Sequence, residues 1–115
     1  NMTTLKCKDK IATEWAKEKK RLNAMTDKEI REYPLCFDYV EANYFANDKG
    51  EHAHEGYHRY QMSYGGPQDE LRFYVVSDAE FSHKVTYAFL EWGDGAEIDI
   101  TDEAITERFR KIYQV

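Results

Sequence analysis

Between Leu35 and Thr101, apolar and polar side chains alternate with a period of two in five runs separated by turn residues. That period sends successive side chains to opposite faces of an extended strand and does not suit a helix of 3.6 residues per turn. The first run sets Leu35, Phe37 and Tyr39 against Cys36, Asp38 and Val40. The second sets His58, Tyr60, Met62 and Tyr64 against Tyr57, Arg59, Gln61 and Ser63, and stops at Gly65-Gly66-Pro67. Leu71, Phe73 and Val75 then alternate with Arg72, Tyr74 and Val76, so these two runs are predicted to form a hairpin. Val85, Tyr87 and Phe89 oppose Thr86, Ala88 and Leu90 in a strand ending near Trp92, and Gly93-Asp94-Gly95 turns the chain. Ala96, Ile98 and Ile100 alternate with Glu97, Asp99 and Thr101 in the last run. Five strands in chain order predict an antiparallel meander with one wet face. The longest connection, about residues 42 to 55, is expected as a loop, with turn chemistry at Asn47-Asp48-Lys49-Gly50.

The period changes on either side of these strands. From Lys8 to Asn23, Ile11, Trp15 and Leu22 fall on one helical stripe with Ala12 and Ala16 beside it. Thr26 and Glu29 have the spacing of a capping box, and Pro34 closes a short second helix from Asp27 to about Tyr33. After the strands, Thr101 or Asp102 is predicted to cap a helix carrying Ile105, Phe109 and Ile112 on one side. The expected fold class is α+β, in the order ααβββββα, with the helices covering one face of the sheet. At 115 residues and without repeats or linkers, one domain is expected over residues 2–115, Asn1 being a remnant ahead of Met2.

No apolar run reaches the roughly 20 residues of a membrane span, and no secretory pattern opens the chain, so a cytoplasmic location is expected. Cys7 and Cys36 are accordingly read as unpaired thiols. A net charge of −6 argues against direct nucleic-acid binding, which draws on Lys and Arg neutralising phosphates. That charge is unevenly placed: residues 1–68 balance, residues 69–107 carry −9 and residues 108–115 carry +3.

The acidic block comprises Asp69, Glu70, Asp78, Glu80, Glu91, Asp94, Glu97, Asp99, Asp102, Glu103 and Glu107. Gathered on one face, these carboxylates would bind a protein partner with a basic groove. The alternatives are a small-ligand or enzymatic pocket around the Gly-Gly-Pro turn, lined by Tyr57, Arg59, Tyr64, Asp69, Arg72 and Trp92, or a dimeric structural or interaction protein. His52, His54 and His58 have short metal-ligand spacing, but they lie beside a turn where polar residues are simply solvated, and no metal or cofactor is expected. Neither cysteine sits in a nucleophile turn, Asp69-Glu70 can merely open a strand, and Gly65-Gly66-Pro67 lacks the Lys and Ser or Thr of a phosphate loop. No catalytic residue is assigned.

The stretch Tyr33-Pro34-Leu35-Cys36-Phe37-Asp38-Tyr39-Val40, then Glu55-Gly56-Tyr57, Arg59-Tyr60-Gln61, Ser63-Tyr64-Gly65-Gly66-Pro67, Asp69-Glu70 and Arg72-Phe73-Tyr74-Val75, resembles a family of short proteins encoded by phages, plasmids and other mobile elements. Tyr87, Phe89, Trp92 and Asp94-Gly95-Ala96 continue the likeness, which covers about half the chain, while His52 and His54 lie outside it. The resemblance implies a bacterial host cell and an inhibitor of host defence, such as an anti-CRISPR protein that blocks a Cas effector complex or another defence nuclease. It brings no catalytic residues with it. A monomer or a homodimer fits this expectation.

Overall fold

The structure, a computed structural model, describes residues 5–45, 53–76 and 81–115. Its elements are α1 (Cys7–Asn23), α2 (Asp27–Glu32), β1 (Cys36–Val40), β2 (Gly56–Ser63), β3 (Gln68–Val75), β4 (Lys84–Glu91), β5 (Asp94–Asp99) and α3 (Ala104–Tyr113). The strands form one antiparallel sheet in chain order, which is the α+β meander that the alternation predicts. The turn chemistry at residues 47–50 lies outside the described residues.

On one face of the sheet, Tyr60 pairs with Leu71, Phe73 with Val85 and Tyr87 with Ile98, building a continuous apolar surface. α1 and α3 pack onto it: Trp15 lies 5.0 Å from Tyr87 between ring centroids, and Phe109 meets Tyr60 edge-on at 4.8 Å. Leu22, Ile30, Tyr60, Phe73, Val85 and Phe109 are fully buried there. Each such side chain contributes about 1.5–3 kcal/mol on leaving water. The Tyr60 hydroxyl donates to the Ile30 carbonyl at 2.6 Å, so the ring is buried without stranding its polar end.

The opposite face departs from expectation. The alternation predicts it to be wet, yet Tyr57, Gln61, Glu70, Tyr74, Thr86 and Ala88 are buried on it. Its long side chains cover one another: the Arg72 guanidinium lies 4.9 Å from the Tyr57 ring centre, and Lys84 lies 4.9 Å from that of Tyr74. Alternation separates two faces, but it does not say that the polar one is solvated.

The helices differ from expectation in detail. In α1 the buried stripe is Ile11, Trp15, Glu18 and Leu22, whereas Ala12 and Ala16 are exposed. The capping box of α2 forms as predicted, with Thr26 and Glu29 each accepting the other's backbone N–H. α3 is not capped by Thr101 or Asp102. It starts behind Glu103, while the Thr101 hydroxyl accepts the Val85 N–H at 3.0 Å and serves the sheet instead. The basic end of α3 closes other elements: Arg108 donates to the Leu22 and Met25 carbonyls, and Arg110 to the Ser82 carbonyl at 2.7 Å.

Candidate interaction surface

Among the described residues, the carboxylates of the acidic block do not form the single negative face expected of them. Neighbours in a strand point to opposite faces, so Asp69 enters the helix-covered core and Glu70 the other face, with 6% and 0% of their surface exposed. Asp69 accepts the Ser63 hydroxyl at 2.6 Å and the Tyr87 hydroxyl at 2.7 Å. Glu70 accepts from Gln68 at 2.8 Å and Arg72 at 2.7 Å. Glu91 pairs with Lys10, and Glu103 pairs with Lys19 while accepting the Trp15 indole N–H. Asp94 accepts the Cys7 N–H at 2.7 Å, a bond that holds its carboxyl below the usual range. Asp99 is held low by hydrogen bonds from Thr101. Asp102 and Glu107 are exposed, and Asp78 and Glu80 lie outside the described residues.

The residues named for a pocket are brought together only in part. Tyr57, Arg59 and Arg72 share the face that the helices leave open. Arg59 is committed to Asp38 through two bonds of 2.9 and 2.6 Å, which raise the guanidinium and lower the carboxyl from their ordinary values. Arg72 bridges Glu70 and Glu97, and Glu97 also accepts from Tyr74 at 2.8 Å and Thr86 at 2.6 Å. Burial pushes the Tyr74 phenol up to about 12, so it stays a donor to Glu97 across the physiological range. Asp69 faces the other side of the sheet and belongs to no such pocket.

Arg72 and Trp92 line one hollow, at the end of the sheet where β2 turns into β3 and β4 into β5. There a hollow of about 630 Å³ is lined by Gly65, Gln68, Arg72, Leu90, Trp92 and Glu97, with Glu91 and Asp94 at its wall. Trp92 is 90% exposed and Tyr64, on the neighbouring turn, 77%. The indole lies against Gly66, where an added Cβ would meet the ring at 3.5 Å. The Gly-Gly-Pro turn therefore serves as a bed for the Trp92 indole, beyond its work as a hairpin connection.

The backbone of Trp92 is unusual as well. Trp92 and Gly93 form a two-residue hairpin turn with φ of 47° and 75°. Such a turn favours Asn-Gly, because a bulky side chain at positive φ crowds the following carbonyl. A large aromatic group is thus held in a strained conformation and presented to solvent, the kind of local cost that marks functional positions. Sequence reasoning named Trp92 but missed Gln68 and Leu90, which alternation places on the same face as Arg72 and Thr86 respectively.

Among the described residues, His54 and His58 do not converge. His58 sits on the covered face between Phe37 and Tyr39, with burial lowering its pKa. His54 lies against Tyr57 on the opposite face, and His52 lies outside the described residues. Among the described residues, no three His, Cys, Asp or Glu side chains come together as metal ligands. No helix among them is long and apolar enough to cross a membrane. Comparison of the chain with protein-family models, curated proteins and solved structures finds no match.

Proposed function

We propose that this chain is a binding module that docks on a basic protein surface through the sheet end carrying Tyr64 and Trp92. The observation that carries the reading is Trp92 itself, strained at φ 47° and 90% exposed. Exposed Trp and Tyr are the side chains that most often anchor interfaces, because each buries a large rigid area at small entropic cost. Charge supplies the partner's chemistry: among the residues that line the hollow, the carboxylates Glu91, Asp94 and Glu97 outnumber the one cation, Arg72. An arginine or lysine of the partner would stack on the indole with carboxylates beside it. The mobile-element resemblance names the class of partner, a nucleic-acid groove of a Cas effector complex or another defence nuclease, and the activity is then inhibition without catalysis.

The test mixes the protein with purified effector complexes at low salt and measures both complex formation and DNA binding. Binding is expected to weaken with salt, and Trp92→Ala should weaken it roughly 30-fold, the size of an interface anchor. A protein that neither binds such complexes nor lowers their DNA binding ends this reading. The hollow's volume, in the range of small-molecule sites, also favours a second reading as a ligand pocket. In that case a small polar ligand would shift the Trp92 indole N–H resonance with no protein partner present.

A further inference from the structure

Glu18 and Asp69 carry two carboxyl groups into the same interior position, between α1 and β3, each with 6% of its surface exposed. They lie within hydrogen-bond reach of one another and share the lining of a small cavity of about 170 Å³. Asp69 is fixed from the sheet side by Ser63 at 2.6 Å and Tyr87 at 2.7 Å. Glu18 is fixed from the helix side by Arg21, with the Tyr33 hydroxyl donating at 3.4 Å.

Two carboxylates in contact and shielded from water do not both ionise at ordinary cost, so one proton stays with the pair. The charged and titratable groups facing it are Glu14, Lys17 and Arg21 from α1, Tyr33 from the segment after α2, and Tyr87 from β4. Lys17 is engaged with Glu14 at 3.1 Å, leaving Arg21 as the one cation bonded to Glu18 among the described residues. Arg21 offsets one negative charge and not two.

We infer that Glu18 and Asp69 share a proton as a pH-operated clamp, which holds α1 to the β2–β3 hairpin when protonated and loosens that contact when the proton leaves. Burial first, and the Asp69 charge second, push Glu18 up to about 7 from its ordinary 4.5. A carboxyl raised in the folded state adds stability that is complete below the unfolded value. The clamp is therefore tightest below pH 4.5, weakens as pH rises, and is lost above about 7.

The decisive measurement is a carboxyl ¹³C NMR titration of the intact chain, paired with hydrogen exchange of the α1 and residue 63–69 amides at pH 6 and pH 8. Glu18 is expected to titrate near 7, and those amides to lose protection at pH 8 after correction for intrinsic exchange. Glu18→Gln keeps a neutral hydrogen-bonding group and should flatten the pH profile of thermal unfolding between pH 5 and 8, exceeding the parent at pH 8. Asp69→Asn serves as the second variant and should lower the Glu18 midpoint by removing its charged neighbour. A Glu18 midpoint near 4.5, or a Glu18→Gln profile parallel to the parent's, overturns the clamp.

Discussion

The two faces of the sheet are buried by different means. On the covered face Tyr60, Phe73, Val85 and Tyr87 lose water to helices through mainly apolar contacts, with the Glu18 and Asp69 carboxyls as the local exception. On the open face Glu70, Tyr74 and Thr86 lose water to their own neighbours, through a net of charged hydrogen bonds centred on Arg72 and Glu97. Apolar burial is non-directional and tolerates repacking, whereas a buried charged net holds only while every member is present. The first face explains why the chain folds. The second explains how a sheet surface without a helix over it keeps a defined shape beside the Trp92 hollow.

That contrast yields graded expectations. Phe109→Ala opens a cavity in the covered face and should cost about 3–5 kcal/mol in chemical unfolding. Arg72→Met, on the open face, leaves Glu70 buried without its cation and should cost about 3 kcal/mol. Adding Glu70→Leu to Arg72→Met should restore most of that loss, since an apolar pair of similar volume replaces the ions. If the double variant is no better than the single, the net is not an interdependent unit and the contrast between faces collapses.

The turn that carries Trp92 gives a smaller effect of opposite sign. Trp92→Asn relieves the positive-φ strain and should raise stability by about 1 kcal/mol, while weakening the proposed partner binding about as much as Trp92→Ala. A loss of stability would show that the indole packs on Gly66 more favourably than its backbone is strained. Smallest of all is Arg59→Ala, which removes a partly exposed pair and should cost at most about 1 kcal/mol. Its effect has a definite pH sign. Arg59 holds Asp38 below its ordinary 3.8, so the pair's contribution is present above that value and fades as pH falls below it. Unfolding of the parent and Arg59→Ala proteins should therefore converge in acid.

Much of the architecture was legible in the residues. The alternation from Leu35 to Thr101 marks five strands, and the tight turns after β2 and β4 join them in chain order as a meander. The capping box at Thr26 and Glu29 forms as its spacing predicts. Part of the site was legible too, since Trp92 and Arg72 were both named for a pocket beside the glycine turn. Glu18 was overlooked for a definable reason. Ile11, Trp15 and Leu22 follow a stripe spaced four, three and four, and position 18 completes it, but a glutamate there reads as polar surface unless it has a buried partner. That partner, Asp69, is 51 residues away in the chain.

The acidic block failed as one surface for the same reason. A run of like charges records position along the chain, while strand alternation, helix ends and salt bridges redistribute those charges in space. The order of residues alone determined local features: element type, turn position and which side chains share a face, because each depends on neighbours within a few bonds. Which carboxylate meets Lys10, Lys19, Arg72 or another carboxylate depends on pairing and packing between distant segments, and that is settled only when the sheet closes against its helices.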